Sequence, residues 1–232
     1  MGESILWELT KLRRHMGGAS GATLYIFGVA LLGIAAPLYF GFALVNARVL
    51  LMYACLGLLL APPVVAESVA SEREFRPASR AQRRDWLYGK VGAGALYGWI
   101  SVAFVLALAI ASLRVSFGRF LSLPPLFAVG LAAVSLASSV FAASLAGAVA
   151  MGARSAKDAK RKMRQGLLLL LVILLFLSRQ PWAWTHRFAV PEIGSSFLEY
   201  ALVISVVLVG LSVGLVKLAL HSAEATAIRL NL

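Results

Sequence analysis

Apolar runs long enough to cross a bilayer recur along this chain, and they limit its fold more than any other feature. A backbone in hydrocarbon must satisfy its own N–H and C=O groups, so such runs fold as helices or as closed barrels. Here they are continuous rather than alternating, which points to helices. The composition agrees: 60% of the residues are apolar, against about 45–50% in a soluble domain, and the mean hydropathy is +0.85. The pattern predicts an all-α polytopic membrane protein with a single six-helix domain over residues 1–232. The expected spans are about 22–45, 49–66, 91–112, 126–151, 166–178 and 200–220.

Between the second and third of these runs lies a strongly polar segment, residues 67–90. It holds Arg73, Arg76, Arg80, Arg83, Arg84 and Lys90 together with Glu67, Glu72, Glu74 and Asp85. A charge at the centre of a bilayer costs roughly 3 kcal/mol or more, so the segment belongs in water. Lys and Arg are distributed 17 to one side and 5 to the other when the six spans are laid out, for the total of 22. The positive-inside bias then places residues 67–90 and both termini in the cytoplasm. The same bias accounts for the net charge of +12, and nucleic acid is not an expected partner.

The flanking stretches fill in this outline. Residues 1–21 read as an interfacial helix and hinge: Ile5, Leu9, Leu12 and Met16 recur at helical spacing, and Trp7 suits headgroup depth. Leu9 and Leu12, with Trp7, are the expected interfacial anchors. No cleavable signal peptide is expected, because the first apolar run is too long for one, and Leu6 stands where a myristoylation site needs Ser or Thr. Pro37 is expected to kink the first span, and Pro62-Pro63 to bend or break the second just before Glu67. Gly94 with Gly98, and Gly210 with Gly214, form two GxxxG pairs that permit close helix contact. The fourth span is rich in Ala, Ser and Gly and is expected among other helices, whereas the Leu-rich fifth suits lipid. The basic connector between them, residues 153–166, reads as a lipid anchor. Residues 179–199 are too polar and broken to span, and Trp182, Trp184 and Phe188 place them at the outer interface as a candidate gate.

Catalytic signatures are missing from the sequence. There is no GxxxxGK[ST] loop, no HExxH and no Gly-x-Ser-x-Gly, and the three histidines are scattered. No catalytic, cofactor-binding or metal-binding residue is expected. The single Cys55 lies in an apolar run and allows no internal disulfide. Charges in mid-span, the usual mark of proton or ion pathways, are also missing, so any transport would draw its energy from outside the chain.

These features together resemble the permease subunits of type-2 ATP-binding-cassette exporters. The likeness covers the whole chain as architecture and is concentrated at Glu67, Ser71-Glu72-Arg73-Glu74 and Gly89-Lys90. Phe75-Arg76-Pro77 and the arginine-rich stretch after it depart from the Gly-Thr and Leu-rich pattern of many members. The resemblance implies two nucleotide-binding ATPase subunits as partners, ATP and magnesium held there rather than in this chain, and a second copy or related permease beside it. It also implies an inner-membrane location and an amphipathic or hydrophobic cargo. Residues 67–90 would be the coupling segment, with residues 78–88 as a short docking helix. Glu67, Glu72, Arg73, Glu74, Arg76, Arg80, Arg83, Arg84 and Trp86 would face the ATPase. A haem-exporter membrane subunit and a non-transporting scaffold are the alternatives.

Overall fold

The computed structural model describes residues 28–41, 47–72, 80–118, 123–153, 155, 157–159, 161–163, 165–166 and 195–230. Among the described residues the chain is helical and has no strand. Its principal helices among these residues are α1 (Gly28–Tyr39), α2 (Ala47–Ala54), α3 (Gly57–Ser71), α4 (Arg80–Phe117), α5 (Pro125–Met151) and α6 (Ser195–Leu230). Four stretches are long and apolar enough to cross a membrane: Val49–Ser71 (α2 with α3), Ala81–Phe117, Pro125–Met151 and Phe197–His221. This is the architecture of a multi-pass membrane protein. The expected fifth span, the interfacial anchors Trp7, Leu9 and Leu12, and the aromatic residues Trp182, Trp184 and Phe188 lie outside the described residues.

Proline placement shapes the first helices. Pro37 has no N–H for the carbonyl of Gly33, and α1 responds with a π turn at Leu31–Ala35 in which the Ala36 N–H bonds the Leu31 carbonyl. The carbonyls of Leu32 and Gly33 thereby lose their own-helix donors. Both are satisfied from neighbouring helices: the Tyr53 hydroxyl donates to Leu32 O at 2.7 Å, and the Ser112 hydroxyl to Gly33 O at 3.0 Å. A buried carbonyl without a donor costs about 1–3 kcal/mol, so these two hydroxyls fix α1 on α2 and α4. Helix α1 stops at Gly41, whose φ of 56° favours glycine.

Pro62 and Pro63 act differently from the sequence expectation. Helix α3 runs through both and ends at Ser71, so Glu67 lies on the helix rather than beyond a break. The distortion is absorbed upstream, where the Leu58 N–H bonds Cys55 O at 2.9 Å and the Leu59 N–H bonds Leu56 O at 2.9 Å, three residues back instead of four. That tight turn divides α2 from α3 and releases the carbonyl of Ala54. The Ser138 hydroxyl of α5 lies 3.1 Å from it and shares its proton with Ser135 O at 3.0 Å.

Helix α5 is the centre of the bundle. Of its most apolar stretch, 56% is buried, against 17% for α6 at the periphery. Small residues make this possible. A Cβ on Gly57 would overlap the Ser139 hydroxyl, and one on Gly130 would meet Ala201 and Phe197 of α6. Phe127 and Phe197 stack with centroids 4.2 Å apart and hold α5 to the start of α6. Gly94 and Gly98 of α4 face Val65 and Ala61 of α3, the close approach their spacing permits. Gly210 and Gly214 carry the same spacing but meet nothing within 4 Å among the described residues.

Two further elements depart from the sequence outline. The expected docking helix and third span are one continuous helix, the 38 residues of α4, about 57 Å long at 1.5 Å per residue. The basic connector has an apolar face: Ala153, Ala159 and Met163 are buried in the same core as Val69, Ala70 and Leu87. The Ser155 hydroxyl accepts from the Asp158 N–H at 3.2 Å as a helix cap, and Lys162 pairs with Asp158 at 3.0 Å.

The two GxxxG pairs should therefore respond differently to bulk. Gly94→Leu is expected to destabilise by about 1–3 kcal/mol through overpacking, lowering the detergent melting temperature by roughly 5 °C. Gly214→Leu should leave it within about 1 °C. Fluorescence-detected thermal unfolding of the purified chain checks both.

Candidate functional site

The end of α3 and the start of α4 are joined by a buried polar cluster. On α3, Ser68 and Glu72 are four residues apart; on α4, Trp86 and Lys90 have the same spacing, so each pair projects from one helical face. The Lys90 side chain is fully enclosed, with 0% exposure, and its Nζ lies 2.9 Å from Glu72 Oε2. The same Nζ donates to the Ser68 hydroxyl at 2.8 Å. Trp86 Nε1 donates to Glu72 Oε2 at 3.4 Å, and the ammonium lies 5.9 Å from the Trp86 ring centroid.

This arrangement follows from the surrounding packing. Leu87 and Val91 pack with Val65, Ala66, Val69 and Ala70, and a Cβ on Gly147 of α5 would touch Leu87 and Val91. With the helices this close, the four-carbon stem of Lys90 has no outward path and must find its partners inside. A buried ammonium is tolerated only when paired and hydrogen-bonded, which Glu72 and Ser68 provide. The result is a clamp between the C-terminal end of α3 and the third turn of α4.

The residues singled out in the sequence divide into three groups. Glu72 and Trp86 are brought together and turn inward, onto Lys90. Glu67 is half-buried on α3, Arg83 is half-buried and Arg84 exposed on the first turns of α4. Arg73, Glu74 and Arg76 lie outside the described residues, as does the side chain of Arg80, whose backbone opens α4. Ser68 was not singled out, because a serine in an apolar helix resembles any small packing residue. The apolar face of the connector also escaped notice, although Ser155-Ala156-Lys157-Asp158 carries the spacing of a helix cap.

The cluster binds helices together and offers no reacting centre. Lys90 is enclosed, and its carboxylate partner is engaged on the same oxygen by Trp86. Among the described residues, no group of three His, Cys, Asp or Glu side chains could hold a metal ion.

Removing one member should cost more than removing two. Lys90→Met leaves Glu72 facing a dry pocket and is expected to destabilise by about 3 kcal/mol. Glu72→Gln strands the buried ammonium and should cost a similar amount. The double change Lys90→Met with Glu72→Met should recover at least half of either loss. A double-mutant cycle read by thermal or denaturant unfolding in detergent measures the coupling; simple additivity would show that the pair does not hold the helices.

In comparison with known proteins, the chain matches no family model, no curated protein and no solved structure.

Proposed function

We propose that this chain is the membrane-spanning subunit of an ATP-driven exporter of an amphipathic or hydrophobic substrate, worked by separate ATPase subunits through residues 67–90. In this reading the chain crosses the inner membrane six times with both termini in the cytoplasm. It pairs with a second copy or a related permease, and two ATPase subunits sit beneath.

The observation that carries the reading is mechanical. A force applied to the first turns of α4 reaches α3 as well, because Lys90, three turns into α4, is tied to Glu72 and Ser68. Nothing interrupts α4 between Arg80 and Phe117, so the displacement of its first turns is passed along a helix longer than the roughly 30 Å hydrocarbon layer. The contacts of Gly94 and Gly98 with Val65 and Ala61 make α3 and α4 move as one body. Rigid-body shifts of packed helices are a standard means of switching between two states.

Charge supports the same reading. The first turn of α4 has no acidic residue, while Arg80, Arg83 and Arg84 stand near the positive end of the helix dipole. That arrangement is unfavourable for the isolated helix and favourable toward an acidic docking groove. Glu72 and Trp86, being engaged internally, hold the docking segment rather than contact the ATPase, and the arginines at the start of α4 make the contact.

Arg80→Glu with Arg83→Glu is expected to lower substrate-stimulated ATP hydrolysis in the reconstituted complex at least tenfold while the melting temperature of the membrane subunit stays unchanged. Full coupled activity in that variant would overturn the docking role. Failure of the chain to co-purify with any nucleotide-hydrolysing subunit would favour a scaffold without transport activity.

A further inference from the structure

A second polar feature lies at the same end of the bundle, between α4 and α6. Ala81, Arg84 and Tyr88 follow one another at intervals of three and four on α4, and on α6 Leu220 and His221 lie three and four residues after Lys217. These six residues line a cavity of about 720 Å³, within the usual range of about 300–1,000 Å³ for a small-molecule site. Its position along the helices is defined by hydropathy. The apolar part of α4 begins near Val91 and that of α6 ends near His221, so the cavity lies on the polar side of that boundary, within about 15 Å of it at 1.5 Å per residue.

The lining is mostly apolar and carries two basic side chains, Arg84 and Lys217. Among the described residues Arg84 pairs with Asp85 at 3.6 Å, and both side chains are more than half exposed, so that contact offsets little of its charge. Lys217 stands one turn inside an otherwise apolar helix end, at a depth where a lysine stem lies along apolar surface and lifts its ammonium toward the headgroups. His221 is one turn further on, and Tyr88 adds a hydroxyl from the opposite wall. Helix packing does not explain the two α6 groups, since both side chains are exposed while the adjacent Val216 and Ala219 fill the core. On the face of α6 that carries Lys217, exposed Val213, Val206 and Val203 continue toward the other end of the helix, a path suited to an acyl chain.

We propose that this cavity binds the headgroup of an anionic phospholipid. Arg84 and Lys217 neutralise the phosphodiester and any further negative charge, and Tyr88 and His221 supply hydrogen bonds. A planar guanidinium and a point-charge ammonium on opposite walls match a phosphate oxyanion from two sides. A basic pocket between membrane helices whose floor continues into an apolar surface selects a lipid over a free anion, because the acyl chain adds buried area that a free anion lacks. This inference rests on the membrane architecture and not on the export reading.

The test uses the purified full chain in a neutral detergent. Native mass spectrometry counts bound phosphatidylglycerol against phosphatidylcholine, with inorganic phosphate as a third arm. At least one phosphatidylglycerol per chain should be retained where phosphatidylcholine is lost, and inorganic phosphate at the same concentration should not displace it. Lys217→Gln should weaken phosphatidylglycerol binding about fivefold, and Lys217→Gln with His221→Gln should weaken it further. The control Lys157→Gln with Arg161→Gln removes two exposed charges from the connector and should leave the preference intact. Equal retention of the two lipids, an unchanged preference in the Lys217→Gln variant, an equal loss in the control, or displacement by inorganic phosphate would each overturn the proposal.

Discussion

A single enclosed ammonium sets the geometry of the end of the bundle where α3 stops and α4 begins. Lys90 has no route to water between α3, α4 and the end of α5, so Glu72 and Ser68 must stand opposite it. That requirement specifies more than an attraction. It fixes the rotation of α3 about its axis, because Ser68 and Glu72 share a face only if the helix reaches both without a break. It likewise fixes the register of α4, because Trp86 must sit one turn before Lys90 to meet the same carboxylate oxygen. A hydrophobic pair of equal volume would pack as well and specify less. The value of the ion pair lies in choosing one arrangement among several that are similarly well packed.

The same logic recurs in weaker form deeper in the bundle. Three carbonyls released by proline-induced distortions receive hydroxyls from other helices: Tyr53 to Leu32, Ser112 to Gly33 and Ser138 to Ala54. In lipid an unsatisfied carbonyl has no water to fall back on. Each distortion therefore creates a polar demand that only one neighbouring side chain can meet, and the irregular points of α1 and of the α2–α3 junction become the points where helices are located. The freed carbonyls and the hydroxyls act as matched halves of one device, separated by 21 to 84 residues in sequence.

The two polar features at this end of the molecule divide the work of residues 80–90. Lys90 and Trp86 turn toward α3 and are used up in holding the fold, while Arg84 and Tyr88 turn toward α6 and the cavity there. A helix whose successive faces bind different neighbours cannot rotate freely. Any motion of its exposed first turn is converted into translation or tilt of the whole 38-residue helix. That is the property the coupling reading needs, and an anionic lipid wedged between α4 and α6 would act on the same movement.

Much of this was open to sequence reasoning, and the remainder was not, for identifiable reasons. Long apolar runs, the small-residue character of α5 and the charged segment between α3 and α4 are properties of local composition, which decides what lipid will accept at each point. Glu72 and Lys90 stood out because charges beside apolar runs are rare, yet their pairing depends on the angle between two helices, which no local pattern encodes. Gly94-x-x-x-Gly98 and Gly210-x-x-x-Gly214 are the same motif; the first meets Val65 and Ala61 and the second meets no described residue, because α4 is flanked on both sides and α6 lies at the edge. Pro62-Pro63 marked a disturbance correctly in kind and wrongly in place, since the backbone relaxed one turn upstream, where Ser138 could take up the freed carbonyl. By itself the chain's composition determined that it must be helical and live in a bilayer. Only the tertiary structure decided which charges are buried, which glycines are contacts and which arginines remain available, because those outcomes depend on the faces that helices turn to one another.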